Sequence, residues 1–262
     1  MKKKLFSITY LLFLILLCSI IKYITIPIPE PTKFDRLPLE TTTTVLPLDS
    51  RPPCTDFVSE LGALASTQII LPPKAILGNY YDSAEPSLLY HWFQINNTQS
   101  DSAIISSDLL IHGGLIGSRL PRGQEIDLQR FKKFIKETRK QNPSEKLLVY
   151  SIIPRLLIAD QLIPDSWWQW HLMRWAALQD IQDTFGDPIS FQELQKFRNE
   201  IPQEIRDKYS TLYKNNDIFN HSLLQLAEKE NINRLIIGQD DGQPFGLPNA
   251  NRNHALFYIE HN

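Results

Sequence analysis

Apolar residues in this chain follow two different spacings. Short, nearly unbroken runs recur at Thr44-Val45-Leu46-Pro47-Leu48-Asp49, Gln68 to Leu71, Ser102-Ala103-Ile104-Ile105-Ser106, Lys146 to Ile153 and Leu235-Ile236-Ile237. Runs of this kind, stopped by Pro, Gly or a charge, read as strands of a parallel sheet buried on both faces. Between them, apolar residues return every three or four positions. Phe57, Leu61 and Leu64 follow Thr55 and Asp56, either of which can cap a helix running to about Ser66. Pro86 opens a second helix through Ile95, and Leu128, Phe131, Phe134 and Ile135 form one stripe of a helix over Asp127 to Gln141.

Three helical stretches separate the fourth and fifth strands: Asp165 to about Phe185, Ser190 to Tyr213, and Phe219 to Asn231. They are too long for an ordinary crossover and predict a helical insertion, a lid or subdomain, over residues 165–231. Strands alternating with helices predict an α/β fold around a mainly parallel sheet. Five strands cannot close an eight-stranded barrel, so an open sheet or a partial barrel-like one is expected, over residues 44–262.

The N-terminus carries a different pattern. Lys2-Lys3-Lys4 precede Leu5 to Ile21, which is apolar except for Ser7, Thr9 and Ser19. About 17 apolar residues is the short end of a membrane-spanning helix. Basic residues favour the cytoplasmic side, so residues 1–22 are expected to form a signal anchor with the main domain extracytoplasmic. A cleaved signal with secretion is the alternative. Residues 23–43, which contain Ile26-Pro27-Ile28-Pro29-Glu30-Pro31, read as a stiff Pro-rich spacer.

Composition narrows the classes. The 262 residues are 42% hydrophobic and 21% charged, which suits a folded domain with a sizeable core. Beyond residue 22 the chain has 23 Lys and Arg against 29 Asp and Glu, a net −6, and no long basic run. Nucleic acid is therefore not an expected partner. Cys54 is the one cysteine outside the anchor, so the soluble part forms no intramolecular disulfide. No His stands near it in sequence to activate it, and it reads as a structural thiol.

The candidate chemistry lies where strands stop. Ligands of α/β folds gather at the carboxyl ends of strands. Those ends carry Asp49 and Arg51, Asp108 and His112, Arg119, Arg155, and Asp240-Asp241 with Gln243. Adjacent aspartates repel, so a plain turn has no need of two. One reading is a glycoside hydrolase-like enzyme with Asp240 and Asp241 as catalytic carboxylates, Asp240 orienting a sugar substituent and Asp241 giving a proton. In that reading Asp49, Arg51, Asp108, His112, Arg119, Arg155 and Gln243 hold the substrate, and Trp167, Trp168 and Trp170 either stack on sugar rings or form a lid core. A second reading is a metal-dependent hydrolase using Asp49, Asp108, His112, Asp240 and Asp241. A third is a non-catalytic binder of a carbohydrate or small anionic ligand through Arg51, Arg119 and Arg155. No Gly-rich phosphate loop, G-x-S-x-G elbow or dinucleotide fingerprint occurs, which sets aside nucleotide and serine-hydrolase readings and leaves any cofactor open.

Several stretches together resemble a known family. They are Leu46-Pro47-Leu48-Asp49-Ser50-Arg51-Pro52, Leu71-Pro72-Pro73 with Leu77-Gly78, and Ser107-Asp108 with Gly113-Gly114-Leu115. Ser118-Arg119, and Gly238-Gln239-Asp240-Asp241 with Pro244-Phe245-Gly246, complete the set. The chain resembles, over about Thr44 to Asn253, a bacterial family catalogued as a domain of unknown function, number four-one-two-seven. The resemblance implies that this chain corresponds to the N-terminal half of such proteins. It transfers no activity.

Overall fold

A computed structural model describes residues 38–79, 82–120, 125–229 and 231–261. The expected anchor and most of the spacer lie outside the described residues, as do Tyr80, Tyr81 and Arg122. Among the described residues no helix is long and apolar enough to cross a membrane.

Five strands form one sheet: β1 (Thr41–Leu46), β2 (Thr67–Ile70), β3 (Ser102–Ser106), β4 (Lys146–Ile153) and β5 (Arg234–Gln239). Among the described residues there are nine α-helices. They are α1 (Asp56–Leu64), α2 (Pro86–Asn96), α3 (Ser107–His112), α4 (Leu115–Ser118), α5 (Glu125–Gln141), α6 (Ser166–Phe185), α7 (Pro188–Glu200), α8 (Gln203–Glu228) and α9 (Leu247–His261). Every strand pair is parallel, in the order β2-β1-β3-β4-β5. The sheet is open, with β2 and β5 at its edges. The chain leaves β1 toward β2 and then returns to the other side for β3. The connections therefore part at the carboxyl ends of β1 and β3, and a crevice opens there.

β1 begins three residues before its expected start. Thr41 to Thr44 were counted partly as spacer, but they pair in register with Thr67 to Ile70. Four β-branched residues suit an extended backbone, and the Thr43 and Thr44 hydroxyls bond to Ser102 and Ser100 at 2.7 and 2.6 Å.

The expectation of burial on both faces holds fully for one face and only in part, at residues such as Val45, for the other. Leu46, Ala103, Ile105, Leu147 and Val149 pack against Phe93 of α2, Phe131 and Ile135 of α5, and Phe219 and Leu223 of α8. On the opposite face Ile104 and Leu148 are partly exposed, and Ile236 is 48% exposed. α2, α3, α5 and the C-terminal part of α8 gather on the first face, while Ile236 of the edge strand stays uncovered on the other.

The insertion has a core of its own. Leu172, Trp175 and Ala176 of α6, Leu194 of α7, and Tyr209, Leu212 and Tyr213 of α8 surround Leu156, Ile158 and Ile163. Its helix boundaries differ from those read in the sequence. The break falls at Ile201-Pro202, and α8 runs unbroken through Lys214 to Ile218. Proline confines Ile201 to extended backbone, φ −85° and ψ 124°. Asn216 and Asn220 resemble helix breakers, yet both are buried in α8 and answer each other at 2.9 Å. Asn220 also accepts from the Ser151 hydroxyl at 2.7 Å, and Asn216 donates to the Ile152 carbonyl at 3.2 Å. Tertiary hydrogen bonds thus override a local preference.

After β3, Leu109-Leu110-Ile111 continue as a helix. The Ser106 hydroxyl caps α3 by accepting from the Leu109 amide at 3.2 Å, and Gly113, at φ +80°, ends it. Gly114 follows at φ +115°, with space for a Cβ only 3.0 Å from the Leu48 carbonyl oxygen. Gly114→Ala is expected to cost about 1–3 kcal/mol, read from urea denaturation followed by circular dichroism.

Candidate active site

The rim is assembled from backbone contacts between loops. The Ser50 amide donates to the Gly78 carbonyl at 2.9 Å, and the Ala84 amide to the Gly113 carbonyl at 2.8 Å. Gly114 presses against the Leu48 carbonyl. These close approaches bring the loops after β1, β2 and β3 together, which explains the glycines among them.

Asp49 is buried at the end of β1. It accepts from the Arg51 backbone amide at 3.0 Å and from Nε at 2.8 Å, and Nη2 lies 2.7 Å away. Asp49 and Arg51 thus form a local ion pair closed by a bond to the Arg51 amide. Arg51 remains partly exposed, and Asp240 adds to the negative field around it. Burial, and then Asp49, push the nearby Cys54 thiol up to about 11. A thiol so raised stays protonated and unreactive at neutral pH, as expected for a structural cysteine.

Arg119 follows α4 and is 5% exposed. Its Nη2 donates to Asp240 Oδ2 at 2.5 Å, and its buried Nε has no hydrogen-bond partner. The Asp240 side chain is 22% exposed. Arg119, expected to hold substrate, instead forms a part-buried ion pair with Asp240 across 121 residues of sequence.

Asp240 and Asp241, just past the end of β5, face different partners. Asp241 Oδ2 accepts from the Leu156 amide at 2.7 Å and Oδ1 from the Gln243 amide at 3.3 Å. The loop after β4 is fixed from the insertion as well: Tyr209 donates to the Leu156 carbonyl at 2.8 Å and Tyr213 to the Arg155 carbonyl at 2.7 Å. Arg155 turns its Nε to the Leu157 carbonyl at 3.0 Å. The loop after β5 is held by Asp180 of α6, which accepts from the Gly246 amide at 2.8 Å and the Asn249 side chain at 2.9 Å. Tyr209, Tyr213 and Asp180 were not singled out from the sequence. Inside helices their spacing matches ordinary core packing.

Two expected substrate contacts lie elsewhere. Asp108 is 0% exposed, and its Oδ2 accepts from the Ile152 amide at 2.9 Å. Burial pushes its carboxyl up to about 7, against the pull of that amide and the Ser107 and Ser151 hydroxyls. It braces β3 against β4 and has no surface to offer a substrate. His112 sits edge-on to Phe219 at 5.7 Å. It lines a cavity of about 200 Å³ with Ile111, Glu125, Leu128, Asn215 and Ile218, away from the aspartates of the rim. Gln243 is exposed beyond Asp241.

The structure thus joins Asp49, Arg51, Arg119 and Asp240 in one alternating set of charges, with Asp241 and Arg155 in the adjoining brace. The five residues considered for a metal do not converge. Among the described residues no three His, Cys, Asp or Glu side chains could hold an ion together.

A family model described as "Protein of unknown function (DUF4127)" matches residues 43–262. The chain belongs to this family. No curated protein matches it. In this DUF4127 chain the stretches that carry the family resemblance are the ones that meet at the rim: Asp49 to Arg51, Gly78, Gly113-Gly114, Arg119 and Asp240-Asp241. The expected α/β fold with a parallel sheet is present, as an open sheet.

Proposed function

We propose that the carboxyl edge of the sheet is the site of a glycoside hydrolase-like enzyme, with Asp240 as its working carboxylate. The observation that supports this most directly is the Arg119–Asp240 pair. A buried guanidinium holds a partly exposed carboxylate at a strand end beside the Asp49–Arg51 pair. Hydrolysing a glycosidic bond needs one carboxylic acid to protonate the leaving oxygen and a second carboxylate that activates water or orients a sugar substituent, the second being the role that Asp240 suits. Arg119 fixes Asp240 for that role. Asp241, first read as the proton donor, has both oxygens accepting backbone N–H groups, which suits it to holding the β4 loop.

Alternating Asp and Arg side chains also suit vicinal hydroxyls, which both donate and accept. On α6, Trp167 and Trp170 are exposed, whereas Trp175 is buried and Trp168 packs against the insertion core. The first two offer flat apolar surface of the kind sugar rings stack on. The reading extends to an extracytoplasmic, membrane-anchored protein, on the strength of Lys2-Lys3-Lys4 and the apolar run to Ile21.

A non-catalytic binder is the second reading. It is favoured by the closure of both arginines into ion pairs, which leaves little free charge for chemistry. Asp240→Asn separates the two. Release from a panel of nitrophenyl glycosides is expected to fall about 100-fold, while calorimetric binding of a neutral oligosaccharide persists. A wild-type chain that binds the oligosaccharide and cleaves nothing would be a binder.

A further inference from the structure

The two edges of the sheet are finished differently. β2 is four residues long and begins with Thr67-Gln68. α1 lies against it, so close that Gly62 has no room for a Cβ beside Ile69. Short, polar and covered edges are how sheets avoid adding strands. β5 has none of these devices. Its six residues, Arg234-Leu235-Ile236-Ile237-Gly238-Gln239, include no Pro and no Lys, and their one charge stands at the first position.

The backbone of β5 leaves one side open. The Asn233 amide donates to the Leu147 carbonyl of β4 at 2.8 Å, and the Lys146 amide, one residue before Leu147, turns the other way to Asp101 at 3.0 Å. Alternate residues of a strand thus serve opposite neighbours. Leu235 and Ile237 share the side of Asn233 and face β4, whereas Arg234, Ile236 and Gly238 turn their main-chain groups outward. Among the described residues none of these three has a backbone hydrogen bond beyond the sheet.

Apolar surface borders the open side on both faces. On one face Ile236 is exposed. On the other, α8 packs over the sheet through Phe219, Leu223 and Leu226. α5 stands on one flank of α8, where Leu128, Asn215 and Phe219 line a shared cavity. α9 stands on the opposite flank, where His254 meets Asp217 at 3.1 Å and Tyr258 donates to Glu228 at 2.9 Å. The helix order α5, α8, α9 runs in the direction β3, β4, β5, so α9 overhangs the space beside β5. It carries exposed Leu256 and Ile259.

We propose that β5 is a docking edge for an extended segment of a partner protein, which adds to the sheet as a further strand. The segment's main chain exchanges hydrogen bonds with Arg234, Ile236 and Gly238. Its side chains point alternately beneath α9 and beside Ile236, so it is apolar at consecutive positions, as strands covered on both faces are. A second copy pairing β5 with β5 suits the edge poorly, because α9 of each copy would overhang the strand of the other.

The test is calorimetry on the full chain with an acetylated, amidated peptide, Lys-Lys-Val-Ile-Val-Ile-Lys-Lys. The control is the same peptide N-methylated at its four core residues, which keeps charge and side chains and removes the main-chain donors. Saturable binding of the first peptide is expected, weaker by about tenfold or more for the second, the worth of one or two backbone hydrogen bonds. Ile236→Lys, a charge on an exposed position of the edge, is expected to weaken binding similarly. Ile259→Glu acts in the same direction and serves if the first variant does not fold. The proposal is overturned if the wild type shows no saturable binding, if the methylated peptide binds equally, or if whichever variant folds binds as the wild type does. Sedimentation of the chain alone supplies a further check: a dimer that Ile236→Lys dissolves would put a second copy on this edge and overturn the partner strand.

Discussion

Arg119→Met is expected to destabilise the chain by about 3 kcal/mol, the lower end of the cost of breaking a buried ion pair. The lower end applies because the Asp240 side chain is 22% exposed, so water reaches part of the charge left behind. The methionine fills most of the volume of the arginine stem, which confines the loss to the guanidinium. Removing both charges, as Arg119→Met with Asp240→Leu, is expected to recover most of the loss, since no uncompensated carboxylate remains. Arg119→Lys recovers less, because a lysine ammonium lacks the planar fork of the guanidinium. Urea midpoints for the single and double variants close a mutant cycle. A loss below about 1 kcal/mol in the single variant would mean that the pair behaves as an exposed contact of little consequence to the rim.

Asp108→Asn is expected to abolish most of the pH dependence of stability between about pH 4 and 7. The wild-type carboxyl is pushed from 3.8 to about 7 by burial, so the folded chain holds this proton more tightly than the unfolded chain does. Stability from this group is complete below the unfolded value, falls as pH rises, and is lost above about 7. Three units correspond to about 4 kcal/mol. Asparagine carries no charge at any pH, and its carbonyl can keep the bond from the Ile152 amide. The variant should therefore equal or exceed the wild type at pH 8 and lose its advantage at pH 5. Denaturation midpoints at the two pH values decide the matter. A wild-type slope that survives in Asp108→Asn would place the titrating group elsewhere.

Both variants also act on the geometry of the rim. Asp108 ties the start of α3 to β4 through the Ile152 amide, and Arg119 ties the end of α4 to the loop after β5 through Asp240. The crevice between β1 and β3 is thus flanked by two polar braces that do different work. One is fully buried and answers to pH. The other is partly open to solvent and carries the proposed chemistry.

The order of elements was legible because hydrophobic periodicity is local. Three-residue runs such as Leu235 to Ile237 and the stripe through Leu128, Phe131 and Phe134 mark strand and helix without reference to the rest of the chain. The strand-end residues Asp49, Arg51, Arg119 and Asp240 could be chosen because parallel strands deliver their carboxyl ends to one edge. Their partners could not. Asp108 and Asp240 look alike as acids after apolar runs, yet one is fully buried and bonded to a β4 amide, and the other is partly exposed and meets a buried guanidinium. Nothing near either residue in sequence records this difference. The same holds for Asn216, which falls in the gap expected between two helices and which tertiary hydrogen bonds place inside α8.

By itself, then, the sequence settled the strands, most of the helices, the parallel sheet and the family, since each rests on interactions within a few residues or on motif identity. The strand order, the face left uncovered, the pairing of Arg119 with Asp240 and the packing of His112 against Phe219 were decided by the folded chain. Those features depend on contacts between residues dozens to more than a hundred positions apart, where burial and partner geometry outweigh what any single residue prefers.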